Sequence, residues 1–217
     1  MKNIIAILFT AILINNGISY SQTFEGIIQV ELKNHKTNNV QASSYYIKKD
    51  KLAMDMEIAY GDQVATTRMI PNLKENKIIV LSSTPFGNIF TELKPEDIEN
   101  SQAFDTSRLK AEKTGKTQNV AGMECELIII TSADWTIDCW VTQKIDIDIK
   151  DFAGLFKKDY NALGLSVLNM TGFALKSITK DMNGNVIATY LVTNVKRQEV
   201  LPEEFEIPEG YINGMGN

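Results

Sequence analysis

The clearest pattern in the chain runs from Leu52 to Tyr60, where Leu52, Met54, Met56, Ile58 and Tyr60 alternate with polar Asp55 and Glu57. Strand side chains point alternately to two faces, so this period of two predicts a strand with one buried side. Phe24, Ile28, Val30 and Leu32 alternate in the same way with Glu25, Gln29 and Glu31. Further strands are expected over 40–48, 64–70 and 77–82, a weaker one over 86–93, and a charged edge strand over 107–117. Turns at 48–50 and at Gly61 and Asp62, with a break at Pro71 and Asn72, make the first five an antiparallel meander.

The stretch 120–142 holds both cysteines and both tryptophans. It reads as a hairpin around a Ser132, Ala133, Asp134 turn, with Thr131 facing Trp135. Odd positions then meet odd positions, placing Met123, Cys125, Leu127 and Ile129 on one face with Trp135, Ile137, Cys139 and Val141. A last hairpin is expected around Asn183 and Gly184, a favoured two-residue turn. The tail after Pro202 is extended, with Phe205, Ile207 and Tyr211 available to dock it.

Two segments carry helical signals, one a period and one a start. Ile149, Phe152, Ala153, Phe156, Tyr160 and Leu163 recur at intervals of three and four, which predicts one amphipathic helix over 149–162. Pro95 with Glu96 and Asp97 starts a shorter one, to about Ala103. The expected fold is thus β-rich α+β: a strongly curved antiparallel sheet or incomplete barrel of roughly 9 to 11 strands, with one long and one short helix.

The N-terminus changes the setting. Lys2, the apolar run 4–14, and small residues Ser19 and Ser21 form a secretory signal pattern with cleavage expected after Ser21. Eleven residues, ten of them apolar around Thr10, fall short of the roughly 20 a bilayer needs, so no transmembrane anchor is expected. No cysteine follows the run, which argues against a lipoprotein. Residues 22–217 then form a single exported domain, periplasmic or secreted. Cys125 and Cys139 would meet an oxidising compartment, where they can pair or remain buried thiols. A bridge closing a loop of about 15 residues would contribute at most about 3 kcal/mol.

Charge and chemistry narrow the function classes. With 22 Lys and Arg against 27 Asp and Glu, the chain has no basic track for nucleic acid. His35 is the only histidine and lies in a polar turn, so neither a His-dependent triad nor a His-rich zinc centre can be built. No phosphate-cradling glycine loop occurs, and no cofactor is expected. Asp55, Glu57 and Glu126 sit opposite apolar positions and read as the wet side of a sheet, not as a hydrolytic carboxylate pair. Asp146 and Asp148 lack the ligand spacing of a calcium loop, so no metal is expected.

A family pattern runs through the same residues. Phe24 to Ile27, Tyr46 to Lys51, Ala121 to Cys125, Cys139 to Thr142 and Phe205 to Tyr211 occur in an order that resembles the exported domain-of-unknown-function 4412 family of Bacteroidota-type bacteria. That resemblance implies a fold similar to the outer-membrane lipoprotein carriers, an incomplete barrel around a helical lid that holds acyl chains. It brings no functional residue with it.

The function expected is a non-enzymatic envelope protein binding a lipid or lipoprotein acyl chain between sheet and helix. Leu52, Met54, Met56, Ile137, Phe152 and Phe156 are the candidate lining residues, because pliable thioethers and an amphipathic helix suit such a guest. The alternative is a structural or protein-interaction module with a closed dry core, meeting another envelope protein. Trp140, on the opposite face from Cys139, either packs under a neighbouring element or serves as such a contact.

Overall fold

A computed structural model describes residues 24–49, 51–60, 63–84, 87–94, 108–145, 168 and 170–214. They build one open, curved sheet from β1 (Glu25–Asn34), β2 (Val40–Lys48), β3 (Lys51–Tyr60), β4 (Gln63–Asn72), β5 (Lys77–Thr84), β6 (Gly87–Leu93), β7 (Lys110–Val120), β8 (Met123–Thr131), β9 (Trp135–Thr142), β10 (Phe173–Asp181), β11 (Val186–Arg197) and β12 (Ile212–Asn213). The order across the sheet is β12-β6-β5-β4-β3-β2-β1-β11-β10-β9-β8-β7. All pairs are antiparallel except β12 on β6. The expected meander is β1 to β5, and the charged strand β7 is an edge. The twelfth strand, two residues of the tail, exceeds the expected number. Both expected helices lie outside the described residues, as do Phe152 and Phe156.

Local chemistry moved several boundaries. β4 runs through Pro71, which pairs with Ile78 of β5, while the ladder to β3 reaches only Met54 opposite Met69. Proline lacks an N–H, so it is tolerated where one side of the strand needs no donor. Between β7 and β8, Ala121 and Gly122 both have positive φ and form a two-residue turn, the twist-matched kind for a hairpin. The Asn183 and Gly184 hairpin uses three residues instead of two. Asp181 N–H donates to Asn185 O at 2.9 Å, Gly184 N–H donates to Asp181 O at 2.9 Å, and Gly184 takes φ 84°.

The turn between β8 and β9 decides more. Ser132 N–H donates to Trp135 O at 3.0 Å, so the loop is Ala133 and Asp134 alone. Thr131 therefore pairs with Thr136, Ile128 with Cys139 and Leu127 with Trp140. Even positions meet odd ones, opposite to the expected register, because one residue of slip turns every side chain over. Cys125 and Cys139 consequently lie on opposite faces of the sheet. Both are buried thiols and no disulfide joins them, the second of the two alternatives the sequence left open.

Cross-strand register defines a front face carrying Ile28, Val30, Ile47, Leu52, Met54 and Met56, and a back face carrying Tyr46, Ala53, Asp55 and Arg68. β10 pairs with β11 only from Lys176–Leu191 to Lys180–Val186. Beyond that point β11 continues along β1 to Gly26–Arg197, while β10 continues along β9 to Phe173–Thr142. Irregularities between Gln29 and Val30 and between Ala174 and Lys176 mark this fork. Bulges bend a strand and increase its twist. Here the bend lets β8 to β10 fold over the front of β1 to β3: Cys125, Phe173 and Leu175 are buried in one cluster with Ile28, Val30, Ile47, Leu52 and Val192. Phe173 meets Tyr45 of β2 edge-on, with ring centroids 5.9 Å apart. The outer side of β8 to β10 has its own cluster, Ile128, Ile130, Ile137, Cys139, Val141 and Ala174 with Leu109 and Met170.

Candidate functional site

The front of β3 to β6 extends beyond the folded-over part. Its side chains fall in rows across the strands, since registered residues share a face. One row is Met54, Met69, Val80 and Thr91. The next is Met56, Thr67, Ser82, Ile89 and Ile212. Met54 is 8% exposed, Met56, Met69 and Val80 are partly exposed, and Ile89 and Ile212 are 40% and 69% exposed. Exposure is least at Met54 and greatest at the β12 edge, with buried Thr67 and half-buried Ser82 interrupting the apolar surface of the second row.

Leu52, Met54 and Met56 share this face, as the alternation required. Leu52 belongs to the folded-over core, so Met54 and Met56 are nearer to open surface. Ile137 is elsewhere: it is 1% exposed in the outer cluster, and β2, β1, β11 and β10 separate its strand from β3. Phe152 and Phe156 lie outside the described residues. Met69, Val80, Ile89 and Ile212 were absent from the expected lining. The unbroken run Ile78 to Leu81 signalled burial on two faces, but only register identifies which member joins Met54. Trp140 is partly buried and packs against the folded-over core. Burial raises the Cys125 thiol to about 11, which suppresses the reactive thiolate near neutral pH.

The back face of the same strands is covered by the chain's own tail. Val200 and Phe205 are buried against Ala53, Ile70 and Leu81, with Tyr46, Ile79, Phe90, Ile207 and Tyr211 around them. Pro202–Phe205 forms a 3-10 turn that presents Glu204 and Phe205. Asp55 and Arg68 are direct cross-strand partners. Arg68 Nε and Nη2 donate to the two Asp55 oxygens at 2.5 and 2.7 Å, and Nη1 donates to Glu204 Oε2 at 2.5 Å. The Asp55 hydrogen bonds come first in raising the Arg68 pKa. Arg68 also stacks over Tyr46 at 4.9 Å, and Lys51 lies 5.6 Å from the Phe205 ring. At the tail's start, Val200 N–H donates to Glu25 Oε1 at 3.0 Å and Lys48 Nζ donates to Val200 O at 2.7 Å. The Val200 bond leads the lowering of the Glu25 pKa, followed by the Lys48 hydrogen bond. Asp55 is therefore a clamp under the tail rather than part of a wet face.

Fold and site define a class: a single curved, mainly antiparallel sheet folded partly onto itself, with an apolar front face and a strapped back. The chain belongs to the family described as Domain of unknown function (DUF4412), whose model matches residues 24–211. Among solved structures it is similar to an uncharacterized conserved protein from Thermus thermophilus, at 9% identity and TM-score 0.52. That match covers 88% of this chain and 91% of the other. It is also similar to a chain of the Pseudomonas aeruginosa MucA/MucB complex, at 8% identity and TM-score 0.51. There it covers 87% of this chain but only 57% of the other chain's length. At such identities the likeness is one of fold. No curated protein matches the chain. Among the described residues no helix is long and apolar enough to cross a membrane.

Proposed function

We propose that this protein is a non-enzymatic exported protein of the cell envelope that holds an apolar ligand, a lipid or lipoprotein acyl chain, against the front of β3 to β6. The observation that carries the reading is the graded row of Met54, Met69 and Val80, with Met56 beside it in the next row, apolar yet partly open on a face whose reverse the tail already covers. Methionine thioethers adapt to irregular guests, and an acyl chain offers no polar group for a site to satisfy. On this reading residues 1–21 are a cleaved export signal, 22–217 are one domain, and Phe152 and Phe156 close over the ligand from the expected helix. Leu52 serves as its packed support.

Native mass spectrometry of protein purified from the envelope tests this. Expected are an N-terminus at Gln22 and a co-purifying lipid mass that Met56→Asp diminishes. Recovery of apo protein alone, with no uptake of a fluorescent fatty-acid probe, refutes ligand binding. A second reading, an interaction module with a closed core, draws on the folded-over cluster, which fills the space between β8 to β10 and β1 to β3 with side chains. It predicts the apo result.

A further inference from the structure

The back-face seat keeps its charges paired whether or not the tail is on it. Without the tail, Arg68 retains both bonds to Asp55, and Lys48 retains Glu25 at 3.0 Å. Glu204, with its side chain 31% exposed in place, would simply return to water. A buried charge left without a partner usually makes such a detachment costly, and none arises here. What remains is a groove with three features: an apolar floor of Ala53, Ile70 and Leu81; a side on which Lys48 and Arg68 stay paired with Glu25 and Asp55 while Lys51 adds a positive charge; and the backbone edge of β6.

We propose that the back face of β2 to β6 is a docking groove for an extended segment, filled in cis by the chain's own tail and in trans by the tail of a second copy. The occupant is specified by what is seated there. Val200 is held by its backbone between Glu25 and Lys48, Glu204 by Arg68, and Phe205 by the floor beneath Lys51. Ile212 and Asn213 pair with Ile89 and Phe90, and Gly214 N–H donates to Phe90 O at 2.8 Å. Strand addition of this kind derives affinity from backbone bonds and specificity from side-chain pockets. A second copy carries the same residues in the same order. Gln198 and Glu199, outside any strand after β11 ends at Arg197, are where the path would diverge. This inference is independent of the apolar-ligand reading, because it uses the opposite face.

The test keeps the full chain and weakens only the cis occupant. Phe205→Ala leaves Glu25, Lys48, Lys51, Asp55 and Arg68 in place. A fluorescent peptide of residues 198–214 should bind this variant about tenfold or more tighter than wild type, whose tethered tail competes at high effective concentration. Adding Arg68→Gln should remove that gain. Glu204→Gln, at a partly exposed side chain, carries the same comparison if Phe205→Ala fails to fold. Peptide binding that is no tighter to folded variants than to wild type overturns the proposal, as does a gain that Arg68→Gln leaves intact.

Discussion

Whether the sheet folds over itself can be measured through two rings. Phe173 opens β10 and is 2% exposed, and Tyr45 lies in β2 with β11 and β1 between them in the sheet order. In an evenly spread sheet, three strand spacings would hold these strands about 14 Å apart. In the folded-over sheet the ring centroids are 5.9 Å apart and inclined by 80°. An edge-to-face pair contributes about 0.5–1.5 kcal/mol beyond burial. Phe173→Leu, Tyr45→Leu and the double variant, followed by urea unfolding, isolate that coupling from the separate losses of packing. The expected coupling is about 1 kcal/mol, seen as a double variant less destabilised than the sum of the singles. Additivity within about 0.3 kcal/mol would refute the contact and with it the fold-over, because residues that far apart have nothing to share.

Gly172→Ala should lower stability by about 2–4 kcal/mol, since Gly172 has φ 127° and a Cβ there would stand 2.6 Å from Thr142 O. Gly184→Ala, with φ 84° but no atom within 4 Å, should cost only about 1 kcal/mol in the same thermal melts. Both cysteines should alkylate in denaturant without reductant and resist alkylation in the native state; a mass showing no adducts after denaturation would restore the bridge. The folded Glu25 pKa lies below its ordinary 4.5, so its stabilisation is present above that value and lost as pH falls through the folded one. Glu25→Gln should therefore flatten the acid limb of the melting temperature below Glu25's ordinary 4.5, and an unchanged limb would exclude this group as its source.

Strand number and order along the chain were largely legible because alternation is a local property. Leu52 to Met56 alternate in the sequence and on the sheet, and β1 to β5 follow one another as short turns demand. Facing was not legible where it depended on one residue of turn length. Reading the β8–β9 loop as three residues instead of two placed Cys125 with Cys139 and sent Trp140 to the wrong company. The family resemblance pointed to the right family, yet it could not supply that register. The Asp55–Arg68 clamp was hidden for a different reason. An acid opposite methionines looks wet in sequence, and only the return of residues 200–213 over the back face makes it a seat.

The run Leu127 to Ile130 lacks alternation because β8 is covered on both sides, whereas Ile78 to Leu81 has the tail on its back and a partly open front at Val80, so the coverings differ in kind. At the fork, one part of the sheet covers another through large buried side chains tied into continuous ladders, so neither layer can leave without unpairing strands. The tail covers the back of β3 to β5 with a few anchors, two strand residues and charges that remain paired in its absence. Stability within one domain is uneven, and segments with few buried contacts open before those woven through the core. In the proposed docking the movement therefore belongs to the back covering, with the sheet persisting beneath it.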